Sequence, residues 1–269
     1  ILIGTILGTL LITIAFGKIT VGFLMIIVAL VGYLSSRFIP PAPPKAPDLK
    51  INWNTFTETI LILKYAFDHK RNVVFALFGV GWFYFLGGMF LAQMPNYVQG
   101  SIGASEQVLA FFLVLFSIGI AVGGLLNNRL LKGDISARLT PWAVLGISVF
   151  SIDLFLATPE VVLKETIVGL GPFLSVASNW RMIFDIAMIA LCGGLFVVPL
   201  NAIIQHYTEE HHRARVVAGS AIINALFVIL SSLFAVVLIM IDFNIEDIFL
   251  TFGILNIGMI FFMWKLTRL

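Results

Sequence analysis

Charge and cysteine are both scarce in this chain. Only 11% of its 269 residues are Asp, Glu, Lys or Arg, whereas a soluble domain carries about a quarter. With 16 basic and 14 acidic side chains the net charge is only +2, which gives no sign of a nucleic-acid partner. The single cysteine, Cys192, sits inside an apolar run and excludes an intrachain disulfide. Phosphate-cradling glycine loops and Gly-x-Ser-x-Gly nucleophile elbows are absent. A membrane acyltransferase would place Asp five residues after a catalytic His. The residues five after His69, His206, His211 and His212 are Val74, His211, Val216 and Val217. These absences weigh against an enzyme. His206, His211 and His212 with Glu209 and Glu210 form a short cluster, but no second group of ligands completes a metal site. No metal and no cofactor is expected.

What is abundant is apolar surface. Hydrophobic residues make up 60% of the chain and mean hydropathy is +1.06. Water cannot accommodate that much apolar surface, so the expected solvent is lipid. The long unbroken apolar runs point to helices rather than the alternating pattern of a barrel. About 20 residues at 1.5 Å each cross the hydrocarbon, and eight stretches approach that length: 1–16, 19–39, 72–93, 105–126, 140–157, 180–203, 216–240 and 247–265. The fold class expected is an all-α membrane protein. The chain opens at Ile1, within an apolar stretch and without a starting Met, and reads as a fragment with its N-terminal part missing.

Lys and Arg orient the spans. Thirteen of them (Arg37, Lys45, Lys50, Lys64, Lys70, Arg71, Arg129, Lys132, Arg138, Arg213, Arg215, Lys265 and Arg268) fall on one side of the eight-span alternation. Only Lys18, Lys164 and Arg181 fall on the other. The basic side is assigned to the cytoplasm, with both chain ends there.

One long linker interrupts the pattern. Residues 40–47 are proline-rich and should be stiff and extended. Thr55 and Glu58 fit a capping box ahead of the apolar-periodic run Ile60, Leu61, Leu63, Phe67. A short amphipathic helix along the membrane face is expected. The segments are therefore 1–39, a truncated first bundle; 40–71, linker and surface helix; and 72–269, a six-helix bundle. An ordinary cytoplasmic loop is the alternative reading of 40–71.

Ionisable groups inside a bilayer are costly and default to functional candidates. Asp153 lies about 20 Å along its helix from the basic end. Arg181 and Asp185 stand one turn apart on the next span and can lie at the same depth. Either the three line the outer mouth of a cavity, or they form an interfacial ion pair that anchors a helix end. On the sixth span, Pro199 should kink the helix, and Asn201 and Gln205 share one face beyond it. Asn224 and Asn256 lie within the last two spans. Each can meet a passing head group or bond one helix to another. The 23 glycines allow close helix approach, and the 25 Phe suit aromatic walls or lipid contact.

The run Gly193-Gly194-Leu195-Phe196-Val197-Val198-Pro199-Leu200-Asn201-Ala202-Ile203-Ile204-Gln205 resembles the tenth helix of bacterial lysophospholipid transporters of the major facilitator superfamily. His212-Arg213-Ala214-Arg215-Val216, Ile222-Ile223-Asn224-Ala225-Leu226-Phe227, the linker Phe38-Ile39-Pro40-Pro41-Ala42-Pro43 with Leu49-Lys50-Ile51-Asn52-Trp53-Asn54, and Asn179-Trp180-Arg181 are similar to one branch of that family. There the transporter is fused to an acyltransferase and an acyl-carrier-protein synthetase. The resemblance covers about residues 38–265. It implies twelve helices in two bundles, of which this chain holds the last eight, in a bacterial inner membrane. It also implies that a lysophospholipid such as lysophosphatidylethanolamine is moved inward for re-acylation. Asp153, Arg181 and Asp185 would serve the outer half of the path, and Asn201, Gln205 and Asn224 the inner half. The family's Gly-x-x-x-Asp-Arg loop corresponds to Gly124, Asn128 and Arg129, with Asn128 where Asp would stand, so the charge lock there is expected to be weak. A major facilitator carrier of another amphipathic or drug-like solute, and a membrane anchor for a fused acyltransferase, are the alternatives.

Overall fold

The computed structural model describes residues 4, 8, 11, 16–41, 53–68, 70–159, 167–209 and 213–268. Most of the first apolar stretch, the linker prolines Pro43, Pro44 and Pro47, and His69, Lys164, Glu210, His211 and His212 lie outside them. The chain divides into two units, Ile1–Ile51 and Asn52–Leu269.

The first unit contains α1 (Gly17–Ser36), whose exposed face is apolar almost throughout. It ends with Arg37 donating to the Tyr33 hydroxyl at 2.7 Å.

The second unit is all helix apart from its connections: α2 (Thr55–Phe67), α3 (Arg71–Asn96), α4 (Glu106–Leu130), α5 (Thr140–Ala157), α6 (Leu170–Ser175), α7 (Asn179–Tyr207), α8 (Arg213–Met240) and α9 (Ile245–Leu266). Among the described residues seven helices are long and apolar enough to cross a membrane, namely α1, α3 with its extension to Ser101, α4, α5, α7, α8 and α9. This is an all-α, multi-pass membrane protein.

Two expectations change in detail. The cap of α2 is Asn54, whose side chain accepts from the Thr57 backbone N–H at 3.2 Å. The capping box expected from Thr55 therefore starts one residue too late, and Thr55 is already helical. The third span also runs beyond residue 93. Pro95 lies inside it, and a wide π-type turn, Tyr97–Ser101, carries it on. The helix α2 packs on the start of α8, where a Cβ on Gly219 would come within 2.8 Å of the Ala66 Cβ.

Contacts at the two ends of this unit fix how α3, α5 and α9 run, and the connections between helices set the rest. At one end the start of α3 meets the end of α9, with Phe75 stacked on Phe262 at 4.5 Å. At the other end the turn after α3 meets the start of α9, where Ser101 donates to Glu246 at 2.7 Å. Nearby, the Tyr97 and Thr158 hydroxyls lie 2.7 Å apart, joining the ends of α3 and α5. Every described Lys and Arg of this unit except Arg181 lies at the first of these two ends. We call it the basic end.

The pairing of helices follows a rule. α4 packs on α7, and α8 packs on α3; α5 packs on α7, and α9 packs on α3; α3 meets α7, and α5 meets α9. Exchanging α3, α4, α5 for α7, α8, α9 leaves this set of pairs unchanged. Because each half has three crossings, an odd number, the two halves run in opposite senses.

Small residues set the tightest of these contacts. A Cβ on Gly123 of α4 would fall 2.0 Å from the Leu191 carbonyl oxygen of α7. One on Gly194 would fall 2.2 Å from the carbonyl oxygen of Ile120. Many of the Phe side chains are spent inward as helix-to-helix filling: Phe90 stacks on Phe249 at 4.7 Å and Phe85 on Phe252 at 5.1 Å.

Candidate functional site

The polar groups of the spans fall into three places. At the end away from the basic residues, Asp153 sits four residues before the last residue of α5, while Arg181 and Asp185 lie in the first two turns of α7. The close packing of α5 on α7 makes them neighbours. The Arg181 guanidinium grips the Asp153 carboxylate with two nitrogens, Nε donating to Oδ2 at 3.0 Å and Nη2 to Oδ1. Both side chains remain partly open, at 52% for Arg181 and 34% for Asp153. Screening by the surroundings makes such a pair a weak contributor to stability.

Asp185 differs from both. It is completely buried, and neither carboxylate oxygen has a hydrogen-bond partner among the described residues. It lies within electrostatic reach of Asp153 and Arg181. Burying a carboxylate without partners costs several kcal/mol by order of magnitude. A chain that merely needed to pack α7 would place an apolar residue there. The arrangement is thus a pair near the helix ends, Asp153 with Arg181, and an inward polar group, Asp185.

The second place is the middle of the bundle. Asn256, fully buried, spends both its donors and one acceptor position in bonding helices together. Its Oδ1 accepts from Trp82 Nε1 at 2.8 Å, and its Nδ2 donates to the Val144 carbonyl at 2.8 Å and to Ser148 Oγ at 3.1 Å. It joins α9 to α3 and α5, and no donor is left for a solute. Asn224, near the middle of α8, is half-buried, and its Oδ1 is enclosed without a partner among the described residues.

The third place is the basic half. Asn201 is half-buried, with Nδ2 turned back to the Val197 carbonyl at 3.1 Å on its own helix. Gln205, one turn on, is exposed. Gly124 lies against α7, where a Cβ would meet Val198 at 2.9 Å, while Asn128 and Arg129 are exposed at the end of α4. Among the described residues neither makes an ion pair. The neighbouring Asn127, passed over in the sequence, is the buried one, and its Oδ1 lacks a partner.

The structure therefore unites Asp153, Arg181 and Asp185. It leaves Asn201, Gln205 and Asn224 apart from them, with no hydrogen bond or ion pair between the two sets among the described residues. Sequence reading missed Tyr97, Trp82, Ser151 and Ser231. Tyr97 is fully buried, and its hydroxyl meets Thr158 beside the acidic cluster. Ser151 and Ser231 carry enclosed hydroxyls without partners among the described residues. Only a hydroxyl or an indole N–H beside apolar neighbours signalled them. Among the described residues no three His, Cys, Asp or Glu side chains gather as a metal site would. No family model matches the chain, and no curated protein or solved structure is significantly similar to it.

Proposed function

We propose that this chain belongs to a secondary transporter of major facilitator type, one that moves lysophospholipids such as lysophosphatidylethanolamine across the bacterial inner membrane. The observation that carries the transporter reading is the exchangeable pairing of the two three-helix halves. Opposed repeats of this kind support alternating access, in which an inner and an outer opening are built from the same contacts used twice. Asp185 supports it further: it is buried, its oxygens have no hydrogen-bond partner among the described residues, and an ionisable group enclosed within a span marks a polar route. The lysolipid cargo rests on the motif resemblance around Gly193–Gln205, Arg213–Phe227 and the proline linker. A zwitterionic head group needs polar side chains along its way. Asp153, Arg181 and Asp185 serve the end away from the basic residues, and Asn224, Asn201 and Gln205 the rest. The basic end faces the cytoplasm by the charge rule. There a fused or associated acyltransferase and acyl-carrier-protein synthetase would receive the product.

The test is uptake of labelled lysophosphatidylethanolamine by spheroplasts expressing the whole protein, against a diacyl lipid and a drug-like cation. Selective entry of the lysolipid is expected. Entry of the drug-like cation alone would favour a carrier of another amphipathic solute. Entry of none would favour a membrane anchor.

A further inference from the structure

A groove of about 380 Å³ opens at the basic end between the first turns of α5 and the last turns of α9. Trp142 and Leu145 form one wall at i, i+3, and Ile260 and Trp264 form the other at i, i+4. The two indoles remain 71% and 55% exposed, so no other part of the described chain covers them. Arg138 stands at the mouth. Arg268 lies one turn beyond Trp264, its guanidinium 5.7 Å from that ring's centroid. Among the described residues neither guanidinium is paired with a carboxylate.

These features belong together physically. An apolar trough along two spans accepts an acyl chain. Exposed Trp at its mouth is the arrangement found where hydrocarbon gives way to head groups. Two unpaired guanidiniums at that level call for an anion, and Arg meets phosphate oxygens through two donors at once. Basic pockets between helices on the positive face of membrane proteins hold anionic head groups on this principle. We propose that the groove binds one anionic phospholipid, its phosphate met by Arg138 and Arg268 and an acyl chain laid along Trp142, Leu145, Ile260 and Trp264. The site is at the opposite end of α5 from Asp153, and it stands whatever solute the protein carries.

The experiment places the full-length protein in phosphatidylcholine nanodiscs containing, at equal mole fraction, phosphatidylglycerol or phosphatidylethanolamine with brominated acyl chains. Tryptophan quenching is read against a Trp142→Phe/Trp264→Phe variant to isolate the two indoles. As the mole fraction is raised in parallel for both lipids, brominated phosphatidylglycerol should quench them at about 25-fold lower mole fraction than the zwitterionic lipid. Each Arg should account for about five-fold of that preference, so Arg138→Gln with Arg268→Gln should abolish it. Raising the salt should weaken it in the unmodified protein, a readout that does not depend on the variant folding. Equal quenching by the two lipids, or a preference that survives both the double substitution and high salt, would overturn the proposal. So would two indoles that neither lipid quenches in a protein that elutes as a dimer, since a second copy would then cover the groove.

Discussion

Asp185 is the residue whose cost most needs an explanation. Its carboxyl is enclosed, partnerless among the described residues, and one turn from a guanidinium already committed to Asp153. A structural role predicts that Asp185→Asn, nearly the same shape with no charge to bury, is neutral or stabilising. A transport role predicts normal protein level with lysolipid uptake reduced at least about tenfold, as for a polar group whose loss costs more than ~1.4 kcal/mol in a transition state. Uptake and expression of the same variant separate the two. Asn201→Ala with Gln205→Ala should lower uptake without lowering protein level, and unchanged uptake would remove both from the path. Asn256 makes the opposite case. Three hydrogen bonds to three groups predict that Asn256→Ala destabilises by about 2 kcal/mol, at roughly 0.6 kcal/mol per bond in a membrane, measured by denaturant unfolding in micelles. Residue type alone does not distinguish these two. Both are polar side chains in apolar runs, and only the positions of Trp82, Val144 and Ser148 make one a clasp. Asp153, Arg181 and Asp185 were legible as a group because helical spacing and span direction place them at one depth. Arg138 with Trp142 was not legible, since its other wall arrives from α9, more than a hundred residues later.

Elements were read with more success than side chains, for a physical reason. Apolar length is a property of contiguous sequence, so 140–157 coincides with Thr140–Ala157. The last turns of α4 and α7 extend past their apolar runs because polar residues such as Asn127 and His206 continue a helix without lengthening its lipid-facing stretch. The glycines divide by position rather than by spacing. Gly123→Ala should cost about 2–3 kcal/mol or force α4 from α7, because the new methyl would meet a backbone carbonyl at 2.0 Å. Gly87→Ala, with nothing within 4 Å of its Cβ, should be neutral or slightly stabilising. Thermal unfolding of the two variants in the same detergent compares them directly. A destabilised Gly87→Ala would mean that this glycine meets a surface supplied from elsewhere.

For the whole molecule, the prediction concerns sidedness. Cysteine placed at Asp134 and at Glu209 should be labelled by a membrane-impermeant thiol reagent from the same face of intact vesicles, and cysteine at Asp242 from the opposite face. The native Cys192 is buried and should stay silent. Labelling of Asp134→Cys and Glu209→Cys from different faces would break the alternation on which the bundle rests.

The exchangeable halves carry a consequence for how such a chain acquires its handedness in a membrane. Three crossings make a shape that can be threaded either way up, and nothing in the packing pairs prefers one sense. In α3–α5 the cations stand before the first helix and between the second and third. In α7–α9, Arg181 apart, they stand between the first and second and at the end of the third. The two trios are thus written with complementary punctuation. Transplanting the Arg129–Arg138 loop to the turn between α8 and α9 would ask the insertion machinery to read the second trio upside down.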